Sequence, residues 1–575
     1  MPLSISRRPK VDDTHLSSVT HATLRQIYAS RGISEPSELE TGLKGLLHYK
    51  SMRGMTEAVL VLERALAQSK RIIIVGDFDA DGATSTALVL LSLSKMGSKN
   101  HDYLVPNRFD FGYGLSPQIV DVAHQQGADV IITVDNGISC FDGVERAKSL
   151  GIDVVITDHH LPSETLPPAD AIVNPNQYGC DFASKSIAGV GVAFYLMLAL
   201  RAGLMERGWF ESQQLAVPNL AEFLDIVALG TVADVVKLDD NNRILVHQGL
   251  QRIRSGHCRP GIQALLDVAG RKQTQLAASD LGFVLGPRLN AAGRLDDMSM
   301  GIECLLSDDV HRVRHIAAQL DSLNRERREI ESSMQVEAET SLNTIQFNEH
   351  QLPHGIVLYK PDFHQGVIGI VAGRIKEKYY RPTIAFAHQD DDTLKGSARS
   401  IPGLHIRDLL EEINTKYPNV IDKFGGHAMA AGLSLPLSHL DEFQRAFTEC
   451  AEANLRGKNL ENVYITDGEL ALNDFNLQFA KLLKDAGPWG QGYEEPCFDG
   501  EFALLEQRIV GQKHLKMMLS TPTGQLVDAI AFNVDTAIWP QASVKRIRAV
   551  YKLDINEFRG KVSLQLLVEG LEPLN

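Results

Sequence analysis

The chain has 575 residues, of which 44% are hydrophobic and 22% are charged, so its length predicts two to four domains and its composition excludes a largely disordered protein. The net charge of -15 excludes a protein that coats polyanions indiscriminately, but it is compatible with a local basic groove that binds nucleic acid. The six cysteines never form a C-x-x-C pair, which excludes a disulfide framework or a cysteine zinc site and predicts a cytoplasmic protein.

No export or membrane segment is predicted. The opening "MPLSISRRPKVDD" has two arginines but no apolar run behind them, so we expect no secretory signal. The run "GVGVAFYLMLAL", residues 189–200, is followed at once by Arg201 and is too short to span a bilayer, so it predicts a buried helix.

From Arg71 onward, β-branched runs alternate with helical patterns, which predicts βαβ units and a mostly parallel sheet. The predicted strands are "RIIIVG", "ADVIITV", "IDVVIT" and "ADAIV". The predicted helices between them are Thr84–Met96, Ser116–Gln126 and Gly143–Leu150.

The second half of the chain shows three further patterns. Apolar residues at a spacing of three or four between Ser307 and Leu342 predict one long amphipathic helix that links two domains. "HGIVLYK", "GIVAGRIKEKYY" and "PTIAFA" then predict a smaller α/β domain that closes near Cys450. Short alternating runs such as "HLKMMLS" and "KVSLQLLV" predict an all-β sandwich or barrel at the end. We therefore expect domains at 1–304, 346–456 and 457–575, with a linking helix at 305–345.

The stretch "DFDADG" carries aspartates at 77, 79 and 81, a spacing that also opens a calcium-binding EF-hand loop. That loop needs a chelating glutamate at its twelfth position and a helix before it, whereas here the twelfth residue is Leu88 and a strand precedes. The aspartates are therefore interpreted as carboxylates at the end of a strand.

The next two predicted strands also end in metal-binding residue types. "VIITV" is followed by Asp135, and "VVIT" is followed by Asp158, His159 and His160. Because the carboxyl ends of parallel strands meet at one edge of a sheet, these groups should lie together there. Carboxylates with imidazoles suit Mn²⁺, Mg²⁺ or Zn²⁺ better than Ca²⁺, and a bridging carboxylate would hold two ions.

A further aspartate pair lies in "LDIVALGTVADVV", where Asp225 starts an apolar helix and Asp234 follows its end. Taken alone, each aspartate of this kind is more often a turn former or a helix cap, and a histidine pair is more often structural. The coincidence at successive strand ends favours metal binding, because a fold has little reason to concentrate negative charge there without a cation.

These motifs resemble a known family. "DFDADG", "VDNG", "TDHHLP" and "GTVADVV" are similar, in order and spacing, to the four motifs of the DHH phosphoesterase superfamily, and "FGGHAMAAG" resembles the glycine-rich signature of the associated DHHA1 domain. "PNRFDFGYGLS", "GPRLNAAGRLDD", "KGSARS" and "PWGQGYEEP" extend the resemblance over nearly the whole chain, to the branch of exonucleases specific for single strands. The β-rich tail resembles the OB-fold domain of that branch.

The resemblance implies two metal ions and their ligands. It assigns Asp79 and Asp135 to one ion and Asp81, Asp135, His159 and Asp234 to the other, with Asp135 bridging, and it places His160 at the scissile phosphate. Asp225 is a ligand, a support for one or only a helix cap. Many members of the family carry a histidine four residues before the position of Asp79, where this chain has Val75. Either a looser first metal site or compensation by Asp77 through water is compatible with this difference.

The second domain and the tail supply candidates for holding the strand. "FGGHAMAAG" predicts a glycine-rich turn that opens a helix, so that backbone N–H groups and the helix dipole meet a phosphate. The alternative is a tight turn that uses glycine only for packing. The candidate strand-binding residues are Arg108, Arg288, Arg294, Gln365, Ser397, Arg399, Gly425, Gly426 and His427. In the tail, Lys545, Arg546, Arg548 and Arg559 are plausible backbone contacts, and Trp489 and Phe558 are plausible stacking residues.

The activity implied by the resemblance is a 5′→3′ exonuclease on single-stranded DNA that needs Mn²⁺ or Mg²⁺, releases 5′-mononucleotides and serves DNA repair and recombination. Implied partners are single-strand-binding protein and a helicase, and the expected form is a monomer. One alternative is a phosphoesterase of the same superfamily that acts on short oligonucleotides or a small phosphate ester. Another is a catalytically inactive relative that only binds nucleic acid, which the retained acidic residues in all four motifs disfavour.

Overall fold

In the computed structural model, the described residues are 3–106, 114–344, 353–458, 460–558 and 560–574. They divide into two compact units. The first unit joins Met1–Asp321 with Tyr464–Asn575, and the second is Ser322–Val463. The second unit is therefore inserted in the sequence of the first.

The core of the first unit is a five-stranded sheet in which all neighbouring strands are parallel. In spatial order its strands are His101–Leu104, Ile72–Gly76, Val130–Val134, Asp153–Thr157 and Ala171–Val173. The two central runs, "IIIVG" and "VIITV", are buried at every residue, as expected for parallel strands covered on both faces. The four strands predicted from the sequence are confirmed, whereas His101–Leu104 was missed because "HDYL" has no apolar alternation.

Helices cover the sheet and extend this part of the unit. Their bounds are Ala22–Ser30, Met55–Ala67, Ala80–Lys95, Pro117–Gln125, Phe141–Ser149, Gly189–Glu206, Trp209–Ser212, Leu224–Ala233, Asp240–Arg254, Pro260–Val268, Ala278–Asp280, Gly286–Leu295 and Ser299–Leu306, with a π-helical segment at Leu281–Leu285. Short 3₁₀ turns occur at Thr14–Leu16, Pro36–Leu39, Leu43–Gly45, Tyr49–Ser51, Leu220–Phe223 and Gln273–Gln275.

The helix Gly189–Glu206 is, among the described residues, the one helix whose length and composition would allow it to cross a membrane. Of its residues, 67% are buried, and the helix packs against helices Ala80–Lys95 and Leu224–Ala233. These contacts are those of a core helix, which confirms the interpretation from the sequence.

The tail of the first unit is a closed barrel of five strands. Around the barrel the strands are Phe498–Val510, His514–Ser520, Leu526–Ala531, Lys561–Leu574 and Arg546–Phe558, and a helix, Leu477–Asp485, precedes them. Closure leaves no open sheet edge. The predicted all-β tail is confirmed. Arg559 and the side chain of Phe558 lie outside the described residues.

The second unit has a mixed five-stranded sheet. In order, its strands are Lys423–Gly426, Ala430–Pro436, Thr393–Arg399, Thr383–His388 and Ile356–Tyr359, and only the last pair is parallel. Its helices are Ile368–Tyr379, Ile406–Lys416 and Leu440–Leu455, and a 3₁₀ turn lies at Leu437–His439. One core packs phenylalanines and aliphatic side chains of the sheet against these helices.

The predicted long helix runs from Val310 to Thr344, and the division between the units falls inside it, after Asp321. Predicted ends at Ser307 and Leu342 differ by two or three residues from those observed. Asp309 explains the start, because its side chain accepts hydrogen bonds from the amides of His311 and Arg312 and so caps the first turn.

Ion pairs fasten the N-terminal residues to the tail within the first unit. The guanidinium of Arg31 pairs with Asp467, with Nη2 2.9 Å from Oδ2, and the two side chains are only 1% and 6% exposed. Arg7 similarly binds Asp499 through Nη2 at 2.6 Å. A third contact stacks Tyr28 on Tyr493, with ring centroids 6.5 Å apart, and the guanidinium of Arg243 lies 4.4 Å above the Tyr493 ring. Within the tail, Tyr493 also stacks on Trp489.

We expect Arg31→Ala to destabilise the first unit by about 3–5 kcal/mol, because it would leave the buried Asp467 carboxylate without its main cation. The measurement is the shift in the midpoint of the unfolding transition of the first unit, in denaturant or on heating. The control is Arg146→Ala, which removes an exposed pair with Asp121 and should cost about 0–1 kcal/mol. Equal shifts for the two variants would contradict a structural role for the buried pair.

Candidate metal centre

The first aspartate motif forms the turn between strand Ile72–Gly76 and helix Ala80–Lys95. Asp79 caps that helix, since its Oδ1 accepts hydrogen bonds from the amides of Asp81 at 2.9 Å and Gly82 at 3.0 Å. A Cβ atom on Gly82 would lie 2.4 Å from the Asp77 carbonyl oxygen, so only glycine allows this turn. Helix capping therefore fixes the position of the Asp79 carboxylate and leaves its second oxygen for another role.

Asp81 faces the interior. Its Oδ2 accepts a hydrogen bond from the amide of Gly189 at 2.6 Å, and its Oδ1 accepts one from the amide of Val190 at 2.8 Å. These amides begin helix Gly189–Glu206, whose N-terminal dipole favours a negative charge. The buried apolar helix thus anchors a carboxylate of the centre.

Asp135 directly follows strand Val130–Val134. Its own backbone is left-handed, at φ 62°, a conformation that is uncommon for residues other than glycine. Its amide donates to the carbonyl of Thr157 at 3.1 Å, and the side-chain amide of Asn136 donates to the carbonyls of Val75 and Val134. A Cβ on Gly189 would lie 2.6 Å from Asp135 Oδ1, so glycine at position 189 gives this carboxylate its room.

Asp158 organises the end of strand Asp153–Thr157; the sequence analysis named this residue but assigned it no role. Its Oδ1 accepts hydrogen bonds from the backbone amides of His159 at 2.7 Å and His160 at 3.0 Å, and it lies 2.7 Å from His160 Nδ1. Its Oδ2 accepts from the amide of Ile138. Asp158 therefore orients both histidines, and its place directly before the histidine pair was the available signal.

Side chains from the three strand ends and from Asp234 converge. His159 Nε2 lies 3.1 Å from Asp135 Oδ1 and 3.5 Å from Asp234 Oδ2. Three sets offer ligand atoms that all lie within 4.8 Å of one another: Asp77, Asp79 and Asp135; Asp81, His159 and Asp234; and Asp135, His159 and His160. Asp135 and His159 each belong to two sets, which is the arrangement that two neighbouring ions require.

The carboxylates repel one another strongly. Burial, followed by the charge of Asp79, raises the pKa of Asp81 to about 7. Burial raises the pKa values of Asp135 and Asp234 well above the ordinary value. The charges of neighbouring aspartates add to this effect, and among them Asp81 contributes most. A divalent cation would remove both causes, because it replaces lost hydration and neutralises like charges.

His160 is held as a cation. Burial would lower its pKa, but the hydrogen bond to Asp158 and the charges of Asp158, Asp77 and Asp79 outweigh burial and raise the pKa to about 9. In return, burial would raise the pKa of Asp158, but the bond to His160 holds that pKa below its ordinary value. The pair is thus an ion pair at neutral pH beside the aspartate cluster.

The donor set fits Mn²⁺ or Mg²⁺, since it is mostly carboxylate with one or two imidazoles. Asp77 joins the first set, although the sequence left its part open. Val75 is fully buried in the core on one face of the sheet, so a histidine there would need a different core. The ligand assignments made from the sequence remain predictions.

Asp225 lies in none of the three sets of the described residues. Its Oδ2 accepts a hydrogen bond from the amide of Arg259 at 2.6 Å, and its Oδ1 accepts one from the amide of Ile226. Burial raises its pKa to about 6. Of the three roles left open for this residue, the geometry favours a structural one at the start of its helix.

The helix of "GPRLNAAGR", Gly286–Leu295, supports the aspartate turn. Asn290 Oδ1 accepts a hydrogen bond from the amide of Ala80 at 2.7 Å, and a Cβ on Gly293 would lie 1.8 Å from the Phe78 carbonyl oxygen. Arg288 is buried, bonded to Asp321 at 3.0 Å and to the carbonyl of Val284, and Arg294 is half-buried. These contacts give the motif a structural function that the sequence did not reveal. Arg108 lies outside the described residues.

In the second unit the glycine signature does not open a helix, and that prediction is wrong. Lys423–Gly426 and Ala430–Pro436 form an antiparallel hairpin, in which Gly425 pairs with Gly432. Ala, Met and His favoured a helix locally, but pairing with strand Thr393–Arg399 overrides that preference. Gly426, at φ 144°, allows the tight turn that exposes His427.

Small residues form a row across the sheet of the second unit, here called the glycine shelf, beside the predicted strand-binding side chain of Arg399. Gly425, Gly432 and Ser397 form one row across three strands, and a Cβ on Gly425 would meet nothing within 4 Å. Arg399 Nη1 donates to Ser397 Oγ at 3.1 Å, and both side chains approach Gly369 in the first turn of helix Ile368–Tyr379. Gln365, half-buried, precedes that helix. The helix whose N-terminus lies beside Ser397 and Arg399 is therefore Ile368–Tyr379, and not a helix that the glycines open.

The tail candidates have structural partners. Arg546 and Arg548 both pair with Glu501 at 2.9 Å. Trp489 Nε1 donates to the carbonyl of Leu483, and its ring stacks on Tyr493. These contacts weaken the interpretation of Trp489 as an open stacking surface.

Family models match three segments of the chain: the DHH family N-terminal domain at residues 71–231, the DHHA1 domain at 353–453 and the RecJ OB domain at 466–570. The chain is 58% identical to the single-stranded-DNA-specific exonuclease RecJ of Dickeya dadantii and 56% identical to that of Escherichia coli, with 99% of each chain covered in both comparisons. The crystal structure of RecJ in complex with Mn²⁺ from Thermus thermophilus matches the whole chain and 80% of its own length, with a TM-score of 0.81 and 27% identity.

We expect Mn²⁺ to raise the melting temperature of metal-free protein, because the cation binds the folded cluster and not the unfolded chain; saturation at about 100 times Kd contributes about 2.7 kcal/mol. Asp135→Asn should abolish most of that shift. It should also raise the melting temperature without metal near neutral pH, since one of the repelling carboxylates is gone.

The measurement is thermal unfolding in EDTA, Mg²⁺ or Mn²⁺. Asp181→Asn, at an exposed position of the same unit, is the matched control and should keep the full shift. An unchanged Mn²⁺ shift in Asp135→Asn would refute the assignment of this carboxylate to a metal ion.

Proposed function

The chain belongs to the RecJ family of single-stranded-DNA-specific exonucleases, and from this membership we propose that it hydrolyses single-stranded DNA from the 5′ end and releases 5′-mononucleotides. The observation that carries the proposal is the convergence of Asp135, His159 and Asp234 at the carboxyl edge of the parallel sheet. Such a cluster suits phosphodiester hydrolysis assisted by two ions.

The residues proposed to hold the ions are Asp79, Asp81, Asp135, His159 and Asp234, with Asp77 added to the first site. Mn²⁺ or Mg²⁺, when bound, supplies an activated water and neutralises charge on the phosphoryl oxygens. Net hydrolysis forms a bond between the water oxygen and phosphorus and breaks the bond from phosphorus to the departing 3′-oxygen. No covalent enzyme intermediate is needed.

The protein's own groups position and stabilise the reacting phosphate. Asp158 accepts the hydrogen bond of His160 Nδ1 and raises its pKa, so a protonated His160 would offer positive charge to the phosphoryl oxygens as negative charge develops. Asp81 is immobilised by two helix amides and Asp79 by its capping bonds, which keeps the ligands in place without a search among rotamers. This pre-organisation is what glycines 82 and 189 make possible.

For the strand itself we propose that the glycine shelf of the second unit receives the backbone. Ser397 and Arg399 would bind a phosphate there, aided by the N-terminal turn of helix Ile368–Tyr379. Gly425 and Gly432 leave space for close approach of the strand. Gln365, Gly426, His427, Arg294 and Arg108 remain proposed contacts, and Arg288 is a weaker one because it is buried.

Other proposals follow from the family alone. The domain bounds 1–304, 346–456 and 457–575, with the linking helix at 305–345, are supported by the segments that the family models match. Single-strand-binding protein and a helicase are proposed partners, the proposed form is a monomer, and the proposed site of action is the cytoplasm, in DNA repair and recombination.

The activity is tested with single-stranded oligonucleotides labelled at either end, beside a duplex, in Mn²⁺, Mg²⁺ or EDTA. We expect the 5′ label to appear first as mononucleotide, only with metal and only from single strands. Asp135→Ala should lower hydrolysis by at least about 100-fold while leaving strand binding largely intact. Strands that are bound but never cut would instead favour an inactive binding protein, and cleavage of only very short oligonucleotides would favour another phosphoesterase.

The phosphate role of Arg399 is tested by strand binding in the Asp135→Ala background. We expect Arg399→Ala to weaken binding to all sequences by about 10-fold or more and to reduce the slope of log K against log salt by about 0.7, the value for one phosphate contact on a single strand. Fluorescence anisotropy over a salt series measures both. Arg407→Ala, at an exposed position of the same unit, serves as the control, and an unaltered slope in Arg399→Ala would disprove the contact.

A further inference from the structure

An apolar cavity of about 320 Å³ opens in the first unit directly beyond the metal ligand Asp234. Its lining includes Val232 and Val235, which flank Asp234 in the chain. The cavity therefore adjoins the segment that carries Asp234, and of the candidate residues named above Trp489 lines it.

Two large apolar side chains of this wall are mostly exposed in the part of the unit that the structure describes. Val235 is 64% exposed and Phe283 is 79% exposed. Val235 also has a left-handed backbone, at φ 61°, which is strained for a β-branched residue. Such strain persists where the surrounding structure imposes it, commonly at functional sites.

Phe283 is presented by the π-helical segment Leu281–Leu285, a rare geometry that recurs at functional sites. The segment packs on helix Leu224–Ala233, which Asp234 follows: a Cβ on Gly282 would lie 3.2 Å from a Val232 methyl group. The ring is thus held on the same support as the metal ligand, and its exposure is built into the fold.

The charges of the lining favour an uncharged occupant. Positive and negative residues balance there: Arg254, Lys484 and Lys552 against Asp485, Glu494 and Glu495. Lys552 is already paired with Glu495 and Glu569, and Arg254 Nε donates to the carbonyl of Leu276. Because the charges of the lining balance, the cavity offers no net positive field to an isolated phosphate, whereas a flat aromatic group would find apolar walls and a ring.

The size agrees with the same class of occupant. A cavity of about 150 Å³ already binds benzene, so about 320 Å³ has room for a purine. Stacking on an aromatic side chain tolerates any sequence, because every base has a π-face.

We propose that this cavity is a nucleobase subsite, in which Phe283 stacks on one base of the DNA strand close to the scissile phosphate. The proposal rests on the proposed function and adds a base contact to the phosphate contacts already assigned. It makes Phe283 a positioning residue, because it touches the strand and not the reacting atoms.

The test compares intact oligothymidylate with strands that carry one abasic unit at each of the first five positions from the 5′ end. Binding is measured by anisotropy in the Asp135→Ala background, so it does not depend on hydrolysis. We expect Phe283→Ala to weaken binding of the intact strand by about 10-fold and to have no further effect when the stacked base is missing. Phe283→Tyr, which keeps the ring, should bind like the parent.

Leu60→Ala, which removes an exposed apolar side chain from helix Met55–Ala67, is the control and should not change binding. Two results would overturn the proposal: no loss in Phe283→Ala, or the same loss on the intact strand and on every abasic strand, as misfolding would give. A wild-type protein that fails to cut DNA would refute the proposed function alone, since the binding comparison still decides the role of Phe283.

Discussion

Repulsion between carboxylates crowded at one edge of a parallel sheet is the constraint around which the first unit is built. Buried aspartates of like charge cannot remain ionised together without compensation. The fold supplies part of it in fixed form: helix amides for Asp81, capping bonds for Asp79 and an ion pair between the buried Asp158 and the half-buried His160. Bound cations would neutralise the negative charge that these groups leave uncompensated, so the folded cluster is expected to be more stable with metal than without it.

The strand ends of the centre could be read from the sequence because each aspartate follows a continuous β-branched run, and parallel strands bring such ends together. Asp225 shows the limit of that reasoning. It looked like the others in sequence, but only the position of Arg259, distant along the chain, reveals that its carboxylate is used as a backbone anchor. Asp158 shows the reverse: its place before the histidine pair was visible in the sequence, but only the turn geometry shows that its carboxylate binds both histidines.

The glycine signature of the second unit was mistaken for a helix start for a physical reason. Residues with good helix propensity follow the glycines, but propensity is a weak preference when a neighbouring strand offers a full set of backbone hydrogen bonds. The same glycines acquire a different meaning as part of a sheet, where three strands place small residues in one row. The helix terminus that favours anions comes from another part of the sequence, beginning at Ile368.

The insertion of the second unit between two parts of the first has a consequence for vectorial synthesis. Asp467 and Asp499, the partners of Arg31 and Arg7, follow the inserted unit in the sequence. A ribosome delivers the N-terminal residues hundreds of positions before those partners, so the second unit can fold as a block in between. Until the tail is made, Arg31 lacks the counter-charge of Asp467, and the segment that carries the aspartates lacks these contacts. Completion of the first unit therefore depends on the segment that follows the inserted unit.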